Sequence, residues 1–317
     1  MCKRSNSRTL VIVLLIAAVP LLVMLLIWYV MLHDPGPASV SISVDRPKII
    51  AEGFRDNTSS IYMMNLDGTG LQRLFNGSMP AVSPDGKTIA YVAHEKGRCL
   101  HLFSFDTMDD VCLTSPVSVR NPRWSPDGKQ MTMTSVFDGV HQVFVINIRD
   151  ADDTTDTPVM RHITREEHGA MYPAFSGDGN YIYYNLPYRH RHLMRIHVSG
   201  ARAPEIVSET GSDWYNHASV HPEDESILFS GVRSRRLYLI EGPGMRREVL
   251  VSMPVTADPI LYPRWIGDSR EILFCGQLER ESMPQIYRMH IDEKEPQRVT
   301  DPAVGIRWRS PSVVFPR

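Results

Sequence analysis

Four short segments concentrate the residue types that bind ligands or do chemistry: "REEHGAMY" (165–172), "LPYRHRH" (186–192), "GSDWYNH" (211–217) and "GVRSRR" (231–236). Together they supply His168, Tyr172, Tyr188, Arg189, His190, Arg191, Trp214, Tyr215, His217, Arg233 and Arg235. Aromatic planes beside Arg and His suit an anionic sugar or a peptide carboxylate, because rings stack against apolar faces while guanidinium forks match carboxylate oxygens. The expectation is a ligand-binding cluster with no assigned catalytic residue, metal or cofactor.

Metal chemistry is the natural rival. His217 and His221 look like a ligand pair, but four residues along one strand span about 13 Å, while ligands of one ion sit within a few ångströms of each other. His190 and His192 lie on one side of an extended segment and could share an ion with His168 or His217 as a third ligand. Ordinary surface histidines remain the expectation. The acidic run "RDADDTTDT", Arg149 to Thr157, lacks the Gly and Glu spacing of a dedicated calcium loop and reads as a solvated insertion.

The elements that must position these residues are repeats. "PAVSPDGK" from Pro80, "PRWSPDGK" from Pro122 and "PAFSGDGN" from Pro173 are near copies, with weaker ones, "ASVHPEDE" and "PRWIGDSR", from Ala218 and Pro263. Each is followed by a β-rich run such as "TIAYVA" or "EILFCGQ", then by a hairpin such as "IYMMNLDGTGLQRLF". Alternating apolar residues with frequent turn signals mark an all-β chain. Pro presets φ, Asp bonds back to the backbone and Gly takes the left-handed position, so Ser-Pro-Asp-Gly reads as a structural turn.

Successive copies start 42 to 51 residues apart, and a four-stranded unit of that size is a propeller blade. The chain enters mid-unit at "PKIIAEGF" and leaves mid-unit at "GIRWRSPSVVF" (305–315), so the two ends should combine into one blade. The expected fold is a six-bladed β-propeller over 48–317, closed by its terminal strands. The Ser-Pro-Asp-Gly turns would then lie on one face. The inter-blade loops and the loops joining second to third strands would lie on the other, and binding concentrates on such variable loops.

Ahead of the ring, Thr9 to Leu32 carries no charge, and its apolar run is long enough, at about 35 Å as a helix, to cross a bilayer. Lys3, Arg4 and Arg8 precede it and the next basic residue is Arg46, so the N-terminus (1–8) should stay cytoplasmic. The reading is a transmembrane signal anchor over 9–33, a Pro/Ser-rich linker over 34–47 and an extracytoplasmic propeller. A net charge of −2 gives no reason to expect nucleic acid. Cys99, Cys112 and Cys275 read as buried thiols. With the intervening turn centred near Met108, Cys99 should face a residue near 116, about 13 Å along the strand from Cys112 and too far for a bridge.

These units resemble the TolB β-propeller repeats, with their Pro-x-Trp-Ser-Pro-Asp-Gly-Lys, Ile-Tyr-x-x-Asn-x-Asp-Gly and Leu-Thr signatures. The copies at Pro80, Pro122 and Pro263 and "IYMMNLDGTG" at Ile61 carry the pattern best. The resemblance implies the fold; with the anchor and the loop cluster, the expectation is a binding or scaffolding module of the cell envelope, with an envelope protein or an anionic glycan or peptide as partner. A Gly-x-Ser-x-Gly nucleophile elbow, which a peptidase reading needs, is absent. "WYNHASVHPEDESILFSG" is faintly similar to a stretch of oligogalacturonate lyases, propeller enzymes with a histidine-bound divalent metal. The alternative is therefore a polyuronate lyase-like enzyme acting on acidic glycans at the propeller mouth.

Overall fold

A computed structural model describes residues 44–94, 97–114, 118–148, 159–187, 192–208, 213, 215–241, 246–252, 261–277 and 282–316. The expected cytoplasmic segment, membrane span and most of the linker lie outside these residues, as does the acidic insertion. Among the described residues, no helix is long and apolar enough to cross a membrane.

Six four-stranded antiparallel sheets form the blades of a propeller. Blade 1 holds β1 (Lys48–Arg55), β2 (Thr58–Asn65) and β3 (Gln72–Asn76). Blade 2 runs through β4 (Ser78–Val82), β5 (Thr88–Ala93), β6 (Cys99–Ser104) and β7 (Asp110–Cys112). Blade 3 follows with β8 (Arg120–Trp124), β9 (Gln130–Phe137), β10 (Val140–Asn147) and β11 (Arg161–His162). In blade 4 the strands are β12 (Met171–Phe175), β13 (Tyr181–Asn185), β14 (Leu193–His197) and β15 (Glu205–Ser208). Blade 5 has β16 (Tyr215–Val220), β17 (Ile227–Gly231), β18 (Arg236–Glu241) and β19 (Arg246–Ser252). Blade 6 has β20 (Leu261–Trp265), β21 (Glu271–Gly276), β22 (Gln285–His290) and β23 (Gln297–Arg298). The last strand, β24 (Arg307–Val314), returns to pair with β1 as the inner strand of blade 1. The closure read from the sequence is the closure observed.

The repeat signatures have separable jobs. In three turns a Ser hydroxyl donates to the Asp two residues on, at 2.6 Å: Ser83–Asp85, Ser125–Asp127 and Ser176–Asp178. The same Asp accepts the backbone N–H of Lys87, Lys129 or Asn180, and these bonds hold Asp127 and Asp178 below the usual carboxylate range. Gly86 completes its turn at φ 71°. The Trp of the motif ties neighbouring blades: Trp124 Nε1 donates to Ala81 O at 2.9 Å, and Trp265 Nε1 to Ser219 O at 3.1 Å. The Thr of the Leu-Thr signature accepts from the third strand, from Leu100 N to Thr114 and from Ile286 N to Thr300.

Apolar side chains pack between adjacent blades. One cluster joins blades 5 and 6 through Leu228, Leu239, Trp265, Ile272 and Phe274, and another seals blades 6 and 1 through Leu273, Ile286, Ile49 and Trp308. Burial of this kind contributes roughly 1.5–3 kcal/mol per large side chain.

The cysteine reading needs correcting. The turn between β6 and β7 centres on Asp106 and Thr107, with Phe103 opposite Asp110 and His101 opposite Cys112. Cys112 is therefore two residues out of register with Cys99, not four, and the two thiols neighbour each other on one face. Cys112 is exposed while Cys99 and Cys275 are buried, and all three are free. The turn is tighter than expected because Met108 takes a left-handed φ of 61° inside it.

Candidate functional site

Every inner strand carries the same irregularity. Between Arg120 and Arg123 two residues of β8 oppose one of β9, and matching bulges occur in β4, β12, β16, β20 and β24. The first bulge residue is left-handed in all six blades: Met79, Asn121, Tyr172, His217, Tyr262 and Ser310, with φ between 46° and 58°. Pro follows in five of the six, a residue that sheets tolerate at bulges and inner edges because it has no N–H to donate. A left-handed non-glycine residue costs about 1–2 kcal/mol, and such bulges re-aim a side chain. In blades 4, 5 and 6 they bring the bulge side chains together.

Three of these side chains form a continuous arc. The His217 ring centroid lies 4.1 Å from that of Tyr172 and 4.1 Å from that of Tyr262. His217 is buried and its Nδ1 has no hydrogen-bond partner among the described residues. Burial, with Arg123 nearby, holds it well below the usual imidazole range, so it is neutral at pH 7. Burial also raises Tyr172 and Tyr262 above the usual phenol range.

Arginines and one buried carboxylate, Glu52, lie near the arc. Burial lowers Arg123 to about 10, which still leaves it charged at neutral pH, and its Nη1 donates to Pro122 O at 2.6 Å. Arg120 is lowered by burial and by Arg98, and the same two arginines together with burial lower His141. Among the described residues no carboxylate ion-pairs with Arg98, Arg120, Arg123, Arg264 or Arg309. Arg195 and Arg288 on third strands, and Arg270 in the turn before β21, all have such partners. Glu52 opposes Arg309 across blade 1 but spends its oxygens on Met79 N and the Ser59 hydroxyl, both at 3.0 Å.

Two clefts open on this face. One of about 330 Å³ lies between blades 3 and 4, lined by Val140, His141, Glu167, His168, Met171 and Pro187. The other, of about 230 Å³, lies at the closure seam beside Tyr262, Cys275, Pro284, Arg307, Trp308 and Arg309.

The sequence-derived cluster is only partly assembled. Tyr172 and His217 are brought together, and His168 lines the neighbouring cleft. Tyr172, Tyr215 and His217, expected in inter-blade loops, belong instead to β12 and β16, because these inner strands begin before Pro173 and Ala218. Arg233 and Arg235 occupy the loop after β17, where Asp213 accepts the Arg233 N–H at 3.0 Å. Tyr188, Arg189, His190, Arg191 and Trp214 lie outside the described residues. Among those described, no group of three or more His, Cys, Asp or Glu side chains could share a metal ion. His221 sits just past the end of β16, with its ring against Trp265 and Nδ1 3.1 Å from Asp224. Sequence reasoning missed Tyr262, Arg120, Arg123 and Arg309. Tyr262 was recoverable, since it precedes Pro263 as Tyr172 precedes Pro173.

This geometry defines a class: a six-bladed propeller whose inner-strand bulges line a cationic, aromatic mouth. A TolB beta propeller domain profile matches residues 49–254, and the chain belongs to that family. It is 29% identical over 162 residues to the uncharacterized protein Atu1656 of Agrobacterium fabrum, covering 48% of this chain and 52% of that one. The match thus spans about half the length of that curated relative. The structure is similar to TolB from Acinetobacter baumannii, with a TM-score of 0.65 and 16% identity over 85% of this chain and 67% of that one. It is also similar to an oligogalacturonate lyase in complex with manganese, with a TM-score of 0.53 and 13% identity over 80% and 73% of the two chains. At these identities both likenesses concern the fold.

Proposed function

We propose that this chain is a binding and scaffolding module of the cell envelope, tethered by its apolar N-terminal segment and presenting the bulge-lined mouth to a protein partner. The observation that carries the reading is the set of arginines that, among the described residues, make no ion pair near the Tyr172–His217–Tyr262 arc. A cationic, partly desolvated concavity on a rigid scaffold favours an anionic partner surface. The charge-free run from Thr9 to Leu32, preceded by Lys3, Arg4 and Arg8, supports anchoring with the propeller outside.

The test is affinity capture of partners from solubilised envelope by the full chain, compared with a Tyr172→Ala, Tyr262→Ala variant verified as folded. Recovery of a partner by the parent and its loss from the variant is the expected result. Equal recovery removes the mouth as the site. Release of unsaturated products from polyuronate by the purified chain would favour the lyase-like alternative.

A further inference from the structure

The outer hairpin of blade 2 sets two thiols side by side. His101 pairs with Cys112 across β6 and β7, and the same register places Cys99 opposite Thr114. Between these two pairs Leu113 N donates to Leu100 O at 2.8 Å. Both flanking pairs are therefore of the non-hydrogen-bonded kind, whose side chains stand closer together. Cys99 and Cys112 form a diagonal of that square, on one face of the sheet.

An antiparallel diagonal averages about 7–8 Å, slightly beyond the usual reach of a disulfide. Right-handed twist makes the two diagonals unequal. In a non-hydrogen-bonded square it shortens the one that joins the earlier residue of each strand, here Cys99 and Cys112. The Cys112 side chain already leans that way, since its Sγ donates to Thr114 O at 3.1 Å, at the level of Cys99. After burial, the neighbouring Cys112 thiol is what raises Cys99. β7 is the edge strand of its sheet and only three residues long, so a small shift toward β6 breaks no other strand pairing. Access divides the two: Cys112 is exposed, whereas Cys99 is 5% exposed. Cys275 is buried in blade 6 and belongs to a different sheet.

We propose that Cys112 is a site of thiol–disulfide exchange with small disulfides and that Cys99 is its resolving thiol, closing a bridge within the blade 2 hairpin. The Cys112 thiolate, its proton released to solvent, attacks one sulfur of the external disulfide. A mixed disulfide forms at Cys112 and one thiolate leaves. Cys99 then gives up its proton, attacks Cys112 Sγ and expels the second thiolate, and the two leaving thiolates take up the two protons. Two cysteine thiols are thus oxidised to one cystine, while the external disulfide is reduced to two thiols. Burial slows attack by Cys99 on reagents in solution, but the sulfur of the mixed disulfide is already beside it. The bridge would tie the exposed β7 to β6. This chemistry does not depend on what the mouth binds, and an extracytoplasmic propeller would work where disulfides persist.

The test treats the fully reduced full chain, carrying Cys2→Ser and held in detergent, with oxidised glutathione at about pH 8, where ordinary thiols are partly ionised. N-ethylmaleimide quenches the reaction under native conditions before tryptic mass spectrometry. Cys99 and Cys112 share the peptide 99–120. In the parent that peptide should be lighter by two hydrogen atoms and carry neither glutathione nor maleimide. Cys99→Ala, which keeps the buried site small and apolar, should retain glutathione on Cys112 at a level at least about tenfold above the parent. Cys112→Ala should take up no glutathione on Cys99 until denatured. Both variants are verified as folded by circular dichroism. An adduct retained equally by the parent and Cys99→Ala overturns the proposal, as does an unreacted Cys112. So does a Cys112–Cys112 link between chains, or a bridge that forms only in denaturant.

Discussion

Ile50 of β1 pairs with Ser312 of β24, and Ile49 with Val313, so the last strand of the chain is the inner strand of the blade that the first strands begin. Closure of this kind removes the open edge that a linear array would expose. It also places Trp308 at the seam, almost fully buried and edge-on to Tyr62 at 5.3 Å. Trp308→Ala is expected to cost about 3–5 kcal/mol, read as a lowered urea midpoint. Deleting 307–317 should abolish the cooperative transition altogether, because β1 would lose its partner and the seam its core.

The inter-blade tryptophans permit a smaller and cleaner test. Trp124→Phe keeps a ring in place but removes the Nε1–H that reaches Ala81 O. A loss of roughly 0.5–1.5 kcal/mol is expected, and Trp265→Phe should cost a similar amount through Ser219 O. The sites belong to different blade pairs, so the double variant should show the sum, measured by chemical denaturation.

Stability should fall on the acid side of neutrality. His217 is held well below its ordinary value by burial and by Arg123, and burial lowers His94, His141 and His162 in the same direction. Below about pH 6.5 the unfolded chain takes up protons that the folded chain refuses, so stability is present above that value and is lost as pH drops toward the depressed folded values. Each such group contributes at most about 1.4 kcal/mol per pH unit. His217→Phe should narrow the difference between denaturation midpoints at about pH 7.5 and about pH 5.5. An unchanged difference would show that His217 does not carry the effect.

Thiol reactivity separates the cysteines. Cys112 is exposed, whereas burial raises both Cys99 and Cys275. In a Cys2→Ser background, alkylation under native conditions followed by mass spectrometry should modify Cys112 first. Cys99 and Cys275 should react only with denaturant, because buried thiols are slow to form the reactive thiolate.

Much of the architecture was legible from residue order. Ser-Pro-Asp-Gly specifies its turn through bonds within five residues, so each copy reports its own local structure wherever it appears. Spacing between copies set the blade count, and the part-units at the two ends announced the closing pair. The Cys99–Cys112 register was misjudged because a single left-handed residue, Met108, shifts a hairpin without a distinctive sequence sign.

The mouth is another matter. Tyr172, His217 and Tyr262 are separated by whole blades, and nothing local in any of them says that their rings meet. Short-range hydrogen bonds and hydrophobic alternation act between near neighbours in sequence and are written there. Burial, unpartnered charge and ring contact depend on which distant blades share the axis, and that only the folded ring decides.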